Sequence, residues 1–306
     1  MSLENKKVLV TGGAGFIGSN IIEYLLQKNN KITCLDNFST GKKENIESFL
    51  TNSNFKLING DITKLEDCQK ATENIDVILH QAALGSVPRS IENPLKTNEV
   101  NINGFLNILW AAKINNVSRV VYAASSSTYG DSKKLPKIES EIGLPLSPYA
   151  VTKYVNELYA DVFGKTYNTD VIGLRYFNVF GPKQSPNGAY AAVIPLFMQA
   201  LKDNNAPKIN GDGEQTRDFT FVDNAVQANI RGFFAPKTAS NQVFNVACGE
   251  RISVNYLWDS LKNAANSNLE AEYGPERQGD VRDSLADISK AEKLLSYKPQ
   301  FTVREG

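Results

Sequence analysis

The sequence has few of the residue types on which several kinds of chemistry depend. Its 306 residues include one histidine, His80, and three cysteines. A single histidine excludes a site with several histidine ligands and argues against a nucleophile paired with histidine. Cys34, Cys68 and Cys248 are odd in number, widely separated and without the spacing of metal ligands. We therefore expect a reduced, cytoplasmic protein with no metal site.

Net charge and long apolar runs are also lacking. Lys plus Arg number 33 and Asp plus Glu number 33, so the whole molecule has no electrostatic field that would attract nucleic acid or an anionic membrane. No segment approaches the apolar length that crosses a bilayer, and the first residues show no leader pattern before a strand-like run. We expect neither nucleic acid nor a membrane as a partner. Acid and base chemistry is left to Tyr, Lys, Ser and carboxylates.

Short apolar segments alternate with longer segments of helical periodicity. We predict strands at 8–10, 32–35, 55–58, 77–79, 120–123 and 171–174, and helices at 16–28, 104–115 and 148–167. Strand, helix and strand in repetition indicate parallel strands joined by crossover helices. The predicted fold class is α/β, with a Rossmann-type doubly wound parallel sheet.

Three glycines separate the first predicted strand from the first predicted helix, in the segment VTGGAGFIGSN. Gly12 permits a tight turn, Gly15 lets a pyrophosphate approach the backbone, and Gly18 lets the helix pack on the strand. Asp36 ends the second strand about 20 residues later, where a carboxylate accepts hydrogen bonds from an adenosine ribose and repels a ribose phosphate. This pattern predicts NAD rather than NADP as the cofactor. The spacing resembles that of the short-chain dehydrogenase/reductase superfamily.

The region after Arg175 is rich in Gly, Pro and Asn, and a strand at 243–246 is predicted to return to the first sheet. We therefore expect an NAD-binding Rossmann domain of residues 1–177 plus about 221–247. Residues 178–220 and 248–306 are expected to form a smaller, mixed α/β C-terminal domain that binds substrate. The last residues, FTVREG, have the pattern of a helix that begins there, so we expect a C-terminal helix to continue from them.

Polar residues follow the third and fourth predicted strands. Asp61 and Ile62 follow the third, and the segment HQAALGS follows the fourth. Ligands of parallel sheets lie at the carboxyl ends of the strands, so these residues are expected to border the cofactor. We interpret His80 itself as a packed residue at a strand end that makes one hydrogen bond.

The segments AASSSTYG and SPYAVTK carry the candidate chemical centre. Tyr149 and Lys153 are four residues apart and share one face of a predicted helix. A neighbouring ammonium is expected to lower the tyrosine pKa from its ordinary value near 10, so that Tyr149 can remove a proton from a sugar hydroxyl. Ser125, at the end of the fifth strand, is placed to bond the same hydroxyl.

A set of motifs in order over nearly the whole chain makes the resemblance specific. The motifs are TGGAGFIGSN, LDNFSTG, GDI, HQAA, ASSSTYG, SPYAVTK, RYFNVFGP, GDGEQTRDF, FVDNA and GDVRDSLAD. Together they resemble the extended short-chain dehydrogenases of the nucleotide-sugar 4-epimerase branch, and most of all those that prefer N-acetylated sugars. This resemblance implies a tightly held NAD, oxidation at carbon 4 of a UDP-hexose, and return of the hydride to the other face of the sugar.

The resemblance also implies which residues contact each ligand. Those placed against NAD, with the three glycines, are Phe16, Ile17, Asp36, Asn37, Ser39, Thr40, Gly41, Asp61, Ile62, Gln81, Ala82, Ala83, Asn101, Tyr149, Lys153 and Tyr176. Those placed against the UDP-sugar are Gly85, Ser86, Ser126, Ser127, Asn178, Gln184, Ala192, Val193, Lys208, Ile209, Arg217, Arg277, Asp280 and Ser284. The family is commonly dimeric, which implies a homodimer.

The reaction and the sugar are predicted from single positions. Residues 125–128 are Ser, Ser, Ser and Thr, without the carboxylate that related dehydratases and decarboxylases use, so simple epimerisation is favoured. The resemblance places Ser284 at a gate beside the hexose, where a bulky tyrosine would crowd a 2-acetamido group. A serine there favours UDP-N-acetylglucosamine and UDP-N-acetylgalactosamine, with UDP-glucose and UDP-galactose also admitted. The alternatives are a UDP-glucuronate 4-epimerase, for which Arg89 is a candidate partner of the carboxylate, an NADPH-dependent reductase, and a binding protein with an inactive site.

Overall fold

A computed structural model describes residues 4–186, 192–276 and 282–306. The strands in these ranges are β1 (Lys7–Thr11), β2 (Lys31–Asp36), β3 (Phe55–Asn59), β4 (Val77–His80), β5 (Arg119–Ser125), β6 (Val171–Tyr176), β7 (Val179–Phe180), β8 (Lys208–Asn210), β9 (Thr216–Arg217), β10 (Thr220–Phe221), β11 (Gln242–Val246), β12 (Ile252–Ser253) and β13 (Glu272–Gly274). Seven of these form one sheet in the order β11-β6-β5-β4-β1-β2-β3, and every neighbouring pair is parallel. The predicted fold class is confirmed.

Helices cover both faces of this sheet. In the described ranges they are α1 (Phe16–Leu26), α2 (Leu65–Thr72), α3 (Val87–Glu92), α4 (Pro94–Asn98), α5 (Gly104–Ile114), α6 (Pro148–Tyr167), α7 (Val193–Asp203), α8 (Val222–Phe234), α9 (Val254–Ala264) and α10 (Ser289–Leu295). One apolar core joins α1, α8 and α10 to one face of the sheet, and a second joins α2, α5 and α6 to the other. Chain order reverses between β1 and β4, which opens a crevice at the carboxyl ends of the strands.

A smaller unit lies beyond these carboxyl ends. It contains α7, α9 and the two-stranded pairs β7–β10, β9–β12 and β8–β13, of which one is antiparallel. Its own apolar core includes the buried side chains of Phe197, Phe219 and Trp258. The strand predicted near 243–246 returns to the large sheet as β11, beside β6, and α8 packs on the same sheet.

Local sequence patterns predicted the main helices but not the helical residues that precede one of them. The helix predicted at 148–167 agrees with α6, where Ser147 caps the first turn through its hydroxyl and Pro148 occupies the first position. The helix predicted at 104–115 agrees with α5, yet it continues backward through a π-helical turn at Glu99–Asn103 into α4. The prediction missed this extension because the segment has no continuous apolar stripe.

The described end of the chain forms one turn after β13 and α10. The Thr302 amide and hydroxyl both donate to the Glu305 carboxylate at 2.9 Å. The Gly306 amide donates to the Thr302 carbonyl at 3.1 Å. Within the ranges that the structure describes, no helix is long and apolar enough to cross a membrane.

Candidate active site

The glycine turn between β1 and α1 leaves no room for side chains. Gly12 has a φ of +66°, and a Cβ on it would lie 2.7 Å from the Ala82 amide nitrogen. A Cβ on Gly18 would lie 2.3 Å from the Gly12 carbonyl oxygen, so α1 packs directly against the turn. Gly15 is the N-cap of α1, and among the described residues no side chain caps that helix. The amides of its first turn are therefore available to an anion.

Asp36 stands beside this turn at the end of β2. Its carboxylate accepts hydrogen bonds from the Ala14 amide at 2.9 Å and the Phe38 amide at 2.8 Å. Burial raises the pKa of Asp36, while these backbone donors act in the opposite direction. The fixed carboxylate fits the ribose hydroxyls of an adenosine and would repel a 2′-phosphate, as predicted for NAD.

A cavity of about 630 Å³ lies along the carboxyl ends of the strands above the glycine turn. It brings together most of the residues predicted to hold the cofactor and the reacting sugar. They are Gly12, Gly15, Phe16, Ile17, Gly18, Asp36, Asn37, Ser39, Thr40, Gly41, Asp61, Ile62, Gln81, Ala82, Ala83, Gly85, Ser86, Ser125, Ser126, Tyr149, Lys153, Tyr176, Asn178 and Ala192. The shape and the donors of this cavity fit NAD.

Asn101 occupies a different place from the one predicted for it. It is 2% exposed and lies behind the cavity rather than in its described lining. Its side-chain oxygen accepts from the Leu84 amide at 2.8 Å, and its side-chain nitrogen donates to the Leu84 carbonyl and the Thr152 hydroxyl. Asn101 therefore holds the loop that follows Ala82 and Ala83.

Ser125, Tyr149 and Lys153 meet at one end of this cavity. Lys153 lies one helical turn after Tyr149, and its Nζ lies 6.0 Å from the centre of the Tyr149 ring. This Nζ donates to the Ala123 carbonyl of β5 at 2.7 Å, a contact that sequence patterns do not reveal. The Ser125 hydroxyl accepts from the amide and the hydroxyl of Ser127 and forms a hydrogen bond with Tyr149.

The expected lowering of the Tyr149 pKa is wrong for this structure. Burial raises the pKa of Tyr149, and only the hydrogen bond with Ser125 acts against it. Burial also lowers the pKa of Lys153 to about 8, with the Glu157 carboxylate acting in the opposite direction. The Lys153 Nζ bonds a backbone carbonyl rather than the phenol, and its charge does not offset the desolvation of Tyr149.

A second cavity of about 590 Å³ adjoins the first. Of the residues predicted for the UDP-sugar, it is lined by Ser86, Asn178, Ala192, Val193, Lys208, Ile209 and Arg217. The two cavities share Ser86, Asn178 and Ala192, so they form one continuous cleft. Sequence reasoning missed the side chains of α3 and α7 that border it, namely Val87, Pro88, Ile91 and Leu196. The sequence signal that predicts a helix at α3 is Ser86 followed by Pro88, since Ser86 caps the first turn of α3 and Pro88 lies within that turn.

Three further residues predicted for the substrate bond other parts of the chain. Ser127 bonds Ser125, the Gln184 side chain donates to the Val179 carbonyl at 3.2 Å, and the Ser284 amide donates to the Thr216 carbonyl at 3.1 Å. In the described part of the chain none of these three borders either cavity. Arg277 and Asp280 lie outside the described residues. These assignments remain predictions.

His80 is the packed strand-end residue that we expected. It is 3% exposed, its Nδ1 lies 2.8 Å from the Thr11 hydroxyl, and its ring lies 5.4 Å from that of Phe105. Burial lowers the pKa of His80 to about 3, and the Lys153 charge adds to this effect. His80 is therefore neutral in the folded protein near pH 7.

We expect His80 to reduce stability as the pH falls. His80 binds a proton near pH 6.5 in the unfolded chain but only near pH 3 in the folded protein. Below pH 6.5 protonation therefore stabilises the unfolded state, and the unfolding free energy falls. From pH 7 to pH 5 the wild type is expected to lose about 2 kcal/mol of unfolding free energy through this residue. Urea unfolding of the wild type and of His80→Asn at both pH values checks this. An equal loss in the two proteins would contradict it.

Comparisons with known proteins place the chain in a family. The sequence pattern described as the NAD dependent epimerase/dehydratase family matches residues 8–247. The solved UDP-N-acetylglucosamine 4-epimerase from Methanobrevibacter ruminantium M1, in complex with UDP-N-acetylmuramic acid, is 42% identical with a TM-score of 0.92, over 97% of this chain and 94% of that chain.

Two further relatives carry the names of other sugars. The UDP-glucose 4-epimerase of Mycolicibacterium smegmatis is 35% identical over 98% of this chain and 96% of its own length. The UDP-glucuronic acid 4-epimerase from Bacillus cereus, solved with UDP-glucuronic acid and NAD, is 31% identical with a TM-score of 0.91, over 98% of this chain and 96% of that chain. With its glycine turn, its parallel sheet and its Tyr149–Lys153 pair, this chain belongs to the NAD dependent epimerase/dehydratase family and is an NAD-dependent enzyme of the extended short-chain dehydrogenase/reductase type.

Proposed function

We propose that the protein is a UDP-sugar 4-epimerase that interconverts UDP-N-acetylglucosamine and UDP-N-acetylgalactosamine. The observation that carries this proposal is the continuous cleft, with Tyr149 at one end and the cations Lys208 and Arg217 toward the other. A UDP-hexose that lies along the cleft presents its sugar to Tyr149 and its diphosphate to the shared residue Asn178. Cations beside a diphosphate stabilise it by charge-assisted hydrogen bonds.

The side chains of the cleft perform a proton transfer at the sugar 4-hydroxyl. Bound NAD supplies the acceptor, and later the donor, for the hydride of carbon 4. Tyr149 would take the proton of the 4-hydroxyl as its phenolate, a form that burial disfavours and that the positive charge of a bound nicotinamide would favour. Ser125 holds the same oxygen through a hydrogen bond. After the 4-keto sugar turns its other face, Tyr149 returns the proton, so the reaction has no net oxidation. The 3-10 turn at Ser126–Tyr129 offers only hydroxyls beside the sugar, which favours epimerisation over dehydration.

Preference for N-acetylated sugars rests on small residues around the hexose. Gly85 borders the cavity, and a Cβ on it would meet nothing within 4 Å. The 42% identical relative is named for the same sugar, which supports the proposal. A pocket with this much room also admits UDP-glucose and UDP-galactose, because one missing substituent changes binding by only about 1–3 kcal/mol.

A UDP-glucuronate 4-epimerase is the second candidate, since one relative carries that name. Such an enzyme needs a cation for the sugar carboxylate. Arg89 lies on α3, but it does not border either cavity in the described lining, whereas its neighbours Pro88 and Ile91 do. This placement favours an uncharged hexose.

A substrate panel tests the proposed function. Purified protein is incubated separately with UDP-N-acetylglucosamine, UDP-glucose and UDP-glucuronate, without added reductant, and the anomeric protons are followed by NMR. We expect UDP-N-acetylgalactosamine to appear in the first sample at the highest rate. Conversion of UDP-glucuronate alone would replace our proposal by the second candidate, and no conversion in any sample would overturn both.

Replacement of Ser284 tests the proposed choice of sugar. The resemblance places Ser284 beside the hexose although it is not in the described lining of either cavity. If that assignment holds, Ser284→Tyr lowers kcat/KM for UDP-N-acetylglucosamine about 10- to 100-fold relative to UDP-glucose, because a larger ring there would crowd the 2-acetamido group. Ser284→Ala is the matched control, since it adds no bulk and is expected to keep the wild-type ratio. An unchanged ratio in Ser284→Tyr would remove Ser284 from the determinants of specificity.

The proposal includes a homodimer in the cytoplasm. Val151, Leu158 and Val162 form an apolar stripe on α6 and are 45%, 49% and 50% exposed, and Leu95 of α4 is 83% exposed. Exposed apolar surface of this kind is typical of an interface between subunits. Light scattering after size exclusion is expected to give twice the chain mass of 33.7 kDa, and a single-chain mass would contradict the dimer.

A further inference from the structure

We propose that Asp218 is a positioning residue that fixes the substrate-binding half of the cleft; this inference rests on the proposed function. Asp218 is 0% exposed and follows Arg217 directly in the chain. It belongs to neither cavity, so it acts through the segments that it holds rather than by contact with a ligand.

The Asp218 carboxylate joins two other segments to the loop between β9 and β10. Its Oδ1 accepts from the Cys248 amide at 3.0 Å, and its Oδ2 accepts from the Gly249 amide at 3.1 Å and the Ala286 amide at 3.2 Å. Cys248 and Gly249 follow β11 of the large sheet, and Ala286 belongs to the segment that carries Ser284. One carboxylate therefore ties the substrate segments to the sheet that holds the cofactor.

The backbone around Asp218 bonds the substrate residues themselves. The Asn178 side chain donates to the Asp218 carbonyl at 3.0 Å, and Asn178 borders both cavities. The Arg217 guanidinium donates to the Thr216 and Arg282 carbonyls at 2.9 and 3.0 Å. A shift of the loop at Asp218 would thus move Asn178 and Arg217, two of the proposed diphosphate ligands, together.

Further contacts hold the segment of residues 282–286 beside β9. The Thr216 hydroxyl donates to Asp283 at 2.6 Å, and the Thr216 amide donates to the Arg282 carbonyl at 3.0 Å. The bond between Thr216 and Asp283 is half-buried, whereas the bond from the Ala286 amide to Asp218 is buried. A buried charge with several backbone donors imposes a narrower geometry than exposed bonds do.

The surroundings of Asp218 make its hold on these amides dependent on pH. Burial raises the pKa of Asp218 to about 7, the three backbone donors act against this, and the Glu250 charge adds to it. The Cys248 thiol and the Tyr297 hydroxyl also interact with Asp218, and the Tyr297 hydroxyl donates to the Ala247 carbonyl at 2.9 Å. Arg217 precedes Asp218 in the chain, and Arg282 and Asp283 lie in the segment that pairs with Thr216. Protonation places a hydrogen on an oxygen that accepts backbone amides, so the hold weakens as the pH falls from 8 to 6.

Asp218→Asn tests the proposal, because it keeps the shape and replaces one acceptor by a donor. We expect the dissociation constant for UDP to rise about tenfold, the KM for the UDP-sugar to rise with it, and kcat and bound NAD to change less than threefold. Hydrogen exchange at the Ala286 and Gly249 amides is expected to accelerate at least tenfold, while the Leu9 amide of β1 is unchanged. Unchanged exchange at Ala286 and Gly249 overturns the positioning role, as does an equal loss of kcat, NAD and UDP binding.

A measurement without substitution covers the case in which Asp218→Asn fails to fold. In the wild type, protection of the Ala286 amide, corrected for the intrinsic effect of pH, is expected to fall between pH 8 and pH 6 by more than that of the Leu9 amide, which follows the stability of the whole protein. Parallel behaviour of the two amides overturns the proposal. Hydrogen exchange needs no turnover, so it decides the role of Asp218 even if the substrate panel rejects the epimerase function.

Discussion

Tyr149→Phe is expected to lower kcat about 10³-fold while bound NAD is retained, because a positioned general acid–base group contributes about 10²–10⁴-fold. The phenyl ring keeps the packing of Tyr149 at the start of α6, and only the hydroxyl that exchanges the proton is lost. The nearby amine cannot replace it, because the Lys153 Nζ bonds the Ala123 carbonyl at 2.7 Å. Conversion followed by NMR, with NAD released by denaturation and quantified, measures both effects.

Tyr176→Phe is the matched control for this experiment. Tyr176 borders the same cavity, and burial raises its pKa to about 12. Its hydroxyl is engaged on both sides, since Asn229 donates to it at 2.7 Å and it donates to Gln81 at 3.2 Å. We expect its loss to change kcat less than tenfold. If Tyr149→Phe keeps more than a tenth of wild-type kcat, the phenol of Tyr149 is not the proton acceptor.

Gly18→Ala is expected to remove most of the bound NAD and to destabilise the protein. The new Cβ would lie 2.3 Å from the Gly12 carbonyl oxygen and 2.9 Å from the Gly13 Cα, so α1 must move away from the turn that receives the pyrophosphate. Overpacking of this kind costs about 1–3 kcal/mol, although alanine by itself favours a helix over glycine by about 1 kcal/mol. Urea unfolding gives the free energy, and absorbance of released cofactor gives the NAD content.

Gly85→Ala provides the control for Gly18→Ala. Gly85 borders the same cavity, but its Cβ would meet nothing within 4 Å. We expect unchanged NAD content and an unfolding free energy within about 0.5 kcal/mol of the wild type. Should Gly18→Ala bind NAD and unfold like Gly85→Ala, the close contact of α1 with the glycine turn would not determine cofactor binding.

Much of the fold and the cofactor site followed from short-range patterns. Buried parallel strands are continuous apolar runs, and β1, β2 and β6 are of this kind, so they were predicted within one or two residues. The glycine turn and Asp36 were also predictable, because the backbone geometry that a pyrophosphate requires permits few residue types. The substrate half was harder, since its β strands are only two or three residues long and are held by distant segments.

The sequence by itself determined the parallel α/β fold, the cofactor and the identity of the Tyr149–Lys153 pair, because each depends on residue type and on spacing within one strand–helix unit. Only the tertiary structure decided the direction of the pKa shifts of that pair, the hydrogen bonds of Asn101 with Leu84 and Thr152, and the contacts of Asp218 with distant segments. These properties depend on desolvation and on hydrogen bonds between residues far apart in the chain, such as the bond from the Ala286 amide to the Asp218 carboxylate, which joins residues 68 positions apart. Burial and long-range contact exist only after the chain has folded, so no local pattern encodes them.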